Sequence, residues 1–347
     1  DNKEIGQFII KAVRLAVLDI DTQKIEIYPK DTNSNPEQAL KSAIELKEMG
    51  INIVLGPVFF NSLIYLDEIN DITFLSLTNK TIDVPDNVIT SGVNATSQIV
   101  AIKKFIETNE MQKTIFLTPK VDYDQEIKKA IKKSKIKISK HYIYDTEPTK
   151  LTKQIEKITN YKIRKQNVLD EIKRIENSDM SDTEKERKIK KWEKRYTLGR
   201  LNFDSVIISD FDEKLKSITT SLLYTDVSPK NINFITLNQW FDKSLLTEKS
   251  SQPIYFPSIN KENYEKFIED YYEIYNEYPN QLSFLSYDLF GLVYYLIVKN
   301  NFIIDEKMFL KKNKFKGKIG IFEIKNNKIK HVLNFYKVED GIFKKIF

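Results

Sequence analysis

Three groups of side chains have the types that chemistry requires. Asp122 and Asp124 flank Tyr123 in a loop, a pairing suited to acid–base work or to a cation. Asp204, Asp210 and Asp212 gather near the predicted end of a strand, and Ser76 and Thr78 stand at the end of another. Each group also has an ordinary use. Loop carboxylates are mostly solvated, aspartates ahead of a helix cap it, and serine and threonine hydroxyls satisfy nearby backbone groups. At a strand carboxyl end, however, Ser76 and Thr78 also suit a ligand carboxylate. Backbone N–H groups of a helix predicted to begin near Asn61 would assist them.

What is missing narrows the chemistry. The chain has no cysteine, which excludes disulfides, thiolate metal sites and cysteine nucleophiles. His141 and His331 are its only histidines, so a multi-histidine metal site is excluded and a histidine-based triad is disfavoured. No G-x-G-x-x-G, P-loop or G-x-S-x-G motif occurs. An acid, a base, a nucleophile and an orienting group cannot be assembled, so the sequence predicts a non-enzyme with no cofactor.

The elements that would position these residues read as α/β. Residues 24–58 form the organising unit, a predicted strand–helix–strand crossover. Ile25 and Ile27 start its first strand. Asn35 caps the helix, Pro36 takes its first position and Gln38 stands where a capping-box partner would. Gly50 suits a left-handed C-cap. The run Ile51 to Leu55 then reads as a strand covered on both faces, ended by Gly56-Pro57. Before this unit Ile5 to Leu18 is a predicted helix. After it come a helix from Asn61 to Ile69, strands at Thr73–Leu77 and Val88–Thr90, a helix capped by Ser97, a strand at Lys113–Leu117, a helix at Gln125–Lys133 and a strand at Ile136–Tyr144. Such alternation predicts a doubly wound sheet, with any site beyond the strand carboxyl ends. The alternation resumes at Phe203–Ile208 and Phe234–Thr236, with a short strand at Ile254–Phe256. Two long helices follow, Lys261–Tyr275 and Leu282–Val298. The chain ends in antiparallel strands turning at Asn326-Asn327.

Between these halves the pattern breaks. Leu151, Ile155, Ile158, Tyr161, Val168, Ile172 and Ile175 recur at helical spacing, and Ser181 with Glu184 opens a second helix carrying Ile189, Trp192 and Tyr196. Residues 149–200 thus read as an inserted helical hairpin. This segment holds 16 Lys/Arg against 9 Asp/Glu, so it carries +7 of the net +6 and leaves the remainder at −1. A basic helical segment without interleaved aromatics or a nucleic-acid motif is ordinarily a solvated face, and no nucleic-acid partner is expected. The functional use would be partner docking. No stretch approaches the roughly 18 apolar residues of a membrane span.

These residues carry a resemblance. Asp31-Thr32, Pro36-Glu37, Ala39 and Gly56-Pro57 resemble the first lobe of type I periplasmic binding proteins. Tyr275-x-x-Tyr278-Pro279 with Ser286-Tyr287-Asp288, and Phe315-x-Gly317-x-x-Gly320-x-Phe322, resemble later segments of that superfamily. Within it, Thr197 to Val206 after a charged insertion, and Leu222 to Pro229 with Phe234 and Trp240 beyond, are similar to the penicillin-binding protein activators of proteobacteria. The resemblance implies two doubly wound α/β lobes joined by a hinge, residues 1–119 with 257–312 and residues 120–256 with 313–347, the hairpin belonging to the second.

It also implies a non-catalytic, periplasmic protein that activates a peptidoglycan synthase by contact, the hairpin residues Lys165, Arg174, Lys188 and Trp192 being candidates for docking. The alternative it leaves is a solute receptor for an amino acid or another small polar ligand. Such a receptor would use Phe60, Ser76, Thr78, Asn79, Tyr123, Ser209 and Asn238. Two departures weigh against it: Val58, Phe59 and Phe60 follow Gly-Pro where receptors often place a small hydroxyl, and Leu77-Thr78-Asn79 only partly matches a ligand loop. Relatives also begin with a strand that feeds the first helix. This chain starts on the helix, so a trimmed start and a removed export signal or lipid anchor are expected.

Overall fold

A computed structural model describes residues 2–20, 25–121, 123–318 and 320–347. The chain divides into two compact units. The first holds residues 1–101, 128–134 and 258–334, and the second holds residues 102–127, 135–257 and 335–347.

The first unit opens on α1 (Asn2–Ile20) and α2 (Pro36–Glu48). Asn35 caps α2 as its type predicts: the Gln38 N–H donates to Asn35 Oδ1 at 3.0 Å, and Pro36 occupies the first turn. Gly50 follows in the left-handed region at φ 76°, and its N–H donates to Lys47 O. The parallel strands β1 (Ile53–Leu55), β2 (Thr73–Ser76) and β3 (Val88–Thr90) form a three-stranded sheet in that order. Ala39, Ala43 and Leu46 of α2 pack with Phe74 and Val88 in one apolar cluster. A second cluster joins Val13 and Ala16 of α1 to Phe290, with Ile25, Leu55 and Tyr287 packed against it.

Three expectations fail here. The strand predicted at Ile25 and Ile27 does not form, and residues 25–32 carry no regular structure. β1 stands at the sheet edge with β2 as its bonded partner, and residues 25–32 do not pair along its free side. Ile25 still packs inward, but Ile27 is left exposed. The helix predicted from Asn61 to Ile69 is two 3₁₀ turns, Phe60–Leu63 and Leu66–Glu68. Helix α3 (Ala95–Thr108) is capped by Asn94 Oδ1, which accepts from the Ser97 N–H at 2.9 Å, and not by Ser97.

The second unit holds a seven-stranded sheet. Its strands are β4 (Thr114–Pro119), β5 (Lys140–Tyr144), β6 (Ser205–Ile208), β7 (Asn233–Thr236), β8 (Ile254–Ser258), and late in the chain β12 (Asn334–Glu339) and β13 (Ile342–Lys345). They lie in the order β13-β12-β8-β7-β6-β4-β5, with β4 to β8 parallel. Phe116, Leu117, Val206, Ile207, Phe234 and Ile235 are fully buried, as strands covered on both faces require. The intervening helices are α4 (Asp124–Ser134), whose residues 128–134 belong to the first unit, α5 (Pro148–Ile158), α6 (Tyr161–Glu176), α7 (Asp182–Trp192), α8 (Asp212–Tyr224) and the short α9 (Ser244–Thr247). The single helix predicted from Leu151 to Ile175 is therefore two, because Asn160 adopts a left-handed conformation at φ 51°. Ser181 precedes α7, but its side chain makes no capping bond.

The chain then returns to the first unit with α10 (Lys261–Tyr275) and α11 (Gln281–Lys299). Among the described helices, α11 alone is long and apolar enough to cross a membrane by length and composition. It is instead the central helix of this unit, with Phe284, Leu289, Leu292 and Leu296 buried and α1 packed along it. Strands β9 (Asn313–Lys316), β10 (Ile321–Lys325) and β11 (Lys328–Val332) form an antiparallel sheet, with Asn326 and Asn327 both left-handed at the tight turn. These strands sit in the first unit, whereas the sequence assigned residues 313–347 to the second lobe. The reason is tertiary: Asn94 donates to Ile329 O, and His331 bonds both Ser91 and Ser97.

Candidate functional site

The carboxyl ends of the parallel strands carry the polar residues in both units, and each unit has its own arrangement. In the first, Ser76 ends β2 fully buried. Its hydroxyl donates to Pro57 O at 2.6 Å and accepts from the Thr78 N–H at 3.3 Å. Thr78 Oγ1 in turn accepts from the Lys80 N–H at 3.3 Å. These hydroxyls hold the Gly-Pro turn and the post-strand loop to each other. Asn79 is exposed, and Phe60 is half-buried with the Lys80 ammonium 4.6 Å from its ring centre. Gly92 seals the same end: a Cβ there would lie 2.6 Å from Leu77 O and 2.7 Å from Thr78 O, so only glycine fits.

Behind this loop stands a feature the sequence did not reveal. His331 is buried, and its Nε2 meets Ser91 O at 2.8 Å. A carbonyl only accepts, so Nε2 carries the proton, and Nδ1 has no hydrogen-bond partner among the described residues. Burial pulls the imidazole down to about 4, keeping it neutral.

In the second unit Ser209 directly follows β6, Asn238 lies two residues beyond β7, and Tyr123 precedes α4. The Tyr123 hydroxyl donates to Ser209 O at 2.8 Å, the Ser209 hydroxyl donates to Leu117 O at 3.1 Å, and Asn238 Oδ1 accepts from the Trp240 N–H at 3.0 Å. The carboxylate among them is Asp210. Its Oδ2 accepts from the Tyr144 hydroxyl at 2.6 Å, its Oδ1 accepts from the Phe211 N–H at 3.2 Å, and both Asp210 and Tyr144 are buried. Burial raises the Asp210 carboxyl despite the Tyr144 bond, and burial beside Asp210 pushes the Tyr144 and Tyr123 hydroxyls far up.

The predicted acidic group near the strand end dissolves. Asp204 sits at the opposite end of β6, accepting from the Gln112 and Lys113 N–H groups, while Asp212 lies in the first turn of α8. Asp122 lies outside the described residues, and Asp124 begins α4.

The hairpin is anchored by a residue that sequence reasoning passed over. Arg164 of α6 is buried and donates to Thr225 O at 3.1 Å, to Thr197 Oγ1 at 2.7 Å and to Asp226 O at 3.3 Å. Thr197 Oγ1 donates onward to Asp226 Oδ2, and Asn167 holds Leu198 O. Lys165 and Arg174 are exposed on α6, Arg174 pairing with Glu171 at 2.8 Å. Lys188 is half-buried against Met180 Sδ and Glu184, and Trp192 lies half-buried under the Arg195 guanidinium at 4.8 Å.

No protein-family model matches the sequence, and no curated protein sequence matches it. Solved structures do. The C-terminal domain of LpoA from Haemophilus influenzae, a regulator of PBP1A, superposes with a TM-score of 0.65 at 13% identity, over 100% of this chain and 96% of that one. This chain spans 56% of full-length LpoA. A solute-binding protein of an ABC transporter from Rhodopseudomonas palustris, solved with 3,4-dihydroxybenzoic acid, matches at 0.57 and 15% identity, covering 99% and 92% of the two chains. LivJ from Streptococcus pneumoniae, a branched-chain amino acid binding protein solved with isoleucine, matches at 0.54 and 16%, covering 99% and 94%. Likeness that spans both units of this chain, at identities this low, identifies an architecture, and that architecture is the type I periplasmic binding-protein fold.

Proposed function

We propose that this chain is a non-enzymatic periplasmic protein that regulates a penicillin-binding protein by direct contact, with the α6 side of the inserted hairpin as its docking surface. The observation that carries this reading is the Arg164 anchor. A buried guanidinium fixes α6 against Thr197, Thr225 and Asp226, and so holds an exposed face in one orientation. That face pairs the cation Lys165 with Leu169, four residues on and 47% exposed. Exposed aliphatics rimmed by charge are the makings of a contact surface. The fold shared with the LpoA domain supports the same reading. So does the occupation of Ser76, Thr78 and Ser209 by local backbone bonds, which leaves them few free groups for a solute.

A pull-down with a purified penicillin-binding protein tests it. Lys165→Glu with Leu169→Asp should abolish capture while leaving the melting temperature unchanged. Unchanged capture removes the docking role from α6.

The Asp210, Tyr144 and Tyr123 group favours a second reading, a receptor for a small polar solute. A buried carboxylate at the ends of parallel strands is placed to meet a donor group of a ligand. In a thermal-shift screen, a solute at about 100 times its dissociation constant adds about 2.7 kcal/mol. A clear shift with one amino acid, lost in Asp210→Asn, would establish this reading over the first.

A further inference from the structure

We propose that copies of this chain associate through α7 of one copy and α10 of another. Helix α7 has no buried residue. Arg187, Lys190, Lys191 and, in the turn beyond, Lys194 are all exposed, and none has an ion-pair partner among the described residues. At three- and four-residue spacing they form one basic stripe. The complementary surface exists on the same chain. Glu262, Glu269 and Glu273 line the outer face of α10, exposed and likewise without ion pairs among the described residues, with Lys266 the one cation on that stripe. Both helices present an i, i+4 pair, Arg187 with Lys191 and Glu269 with Glu273. Each pair spans about 6 Å along its axis, so an antiparallel approach brings both cations to both carboxylates.

Aromatic surface extends the match. Tyr272 and Tyr278 stack at 4.7 Å beside Glu273, and they are 40% and 70% exposed. Their ring faces suit a lysine ammonium from α7. Exposed ion pairs contribute little singly and are screened by salt, so the contact is weak and salt-sensitive. It uses the α7 stripe, whereas the docking reading uses α6, and the two fail separately.

Sedimentation velocity over a concentration series tests the inference. The wild-type chain should associate at low salt and return to monomer at high salt. Lys190→Glu with Lys191→Glu, and separately Glu269→Lys with Glu273→Lys, should each weaken association about tenfold or more. Mixing the two reversed variants should restore it, because each then offers the surface the other lacks. These exposed substitutions should leave melting temperatures unchanged and should leave capture by the penicillin-binding protein intact. A wild-type chain that stays monomeric at low salt overturns the inference. So does association that survives either reversal, or a mixture that stays monomeric.

Discussion

The Tyr144 hydroxyl donates to Asp210 Oδ2 at 2.6 Å, joining the carboxyl ends of β5 and β6 across β4. Both side chains are buried, so the bond is made without competition from water. Tyr144→Phe removes the donor and leaves the carboxylate desolvated. The expected loss is about 1–3 kcal/mol, or roughly 2–4 °C per kcal/mol in the melting of the unit that carries it. The pH sign is unusual for an aspartate. Its pKa is raised by burial, so its contribution is fully present below the unfolded value and is lost as pH rises through the folded value. Asp210→Asn should therefore flatten the pH dependence of melting in the acidic range. A steeper dependence in this variant would contradict the burial argument.

His331 runs the other way. Its folded value is about 4 against 6.5 in the unfolded chain, so its stabilising contribution is full above 6.5 and is lost as pH falls toward 4. Protonation would place a charge on a ring buried away from water. Between pH 7 and pH 5 the loss should be on the order of 2 kcal/mol. Melting curves of wild type and His331→Leu across this window check it. The variant should lose less stability on acidification, and parallel curves would assign the acid sensitivity elsewhere.

Arg164 ties three segments of the second unit. Arg164→Met keeps the aliphatic stem and removes the donors to Thr197, Thr225 and Asp226. Asp226 is about two-fifths exposed, so screening reduces the ionic share and the hydrogen bonds carry most of the cost. We expect a loss of about 2 kcal/mol, together with earlier proteolytic cleavage within residues 177–200. Cleavage at the wild-type rate would mean that the hairpin holds without its anchor.

Gly92→Ala tests the sealed strand end of the first unit. The new Cβ would meet backbone atoms of Leu77 and Thr78 below 3 Å, and backbone cannot swing aside as a flexible side chain can. The expected cost is about 1–3 kcal/mol, read as a lower denaturant midpoint with an unchanged slope.

The sequence by itself determined whatever is encoded within a few residues. The helical period marked α10 and α11 to within a residue or two. Asn35-Pro36 and Gly50 marked both ends of α2, and Asn326-Asn327 marked the β10–β11 turn. Caps, turns and periods act through bonds between near neighbours, so the residue types suffice. Only the tertiary structure decided which alternating run became a strand. Ile25 and Ile27 have the pattern, but residues 25–32 pair with no strand among the described residues. It also buried Arg164 under a loop 33 residues away. His331 was brought to a carbonyl 240 residues earlier. The roles of such side chains follow from desolvation and from partners distant along the chain, and neither is a property of local sequence.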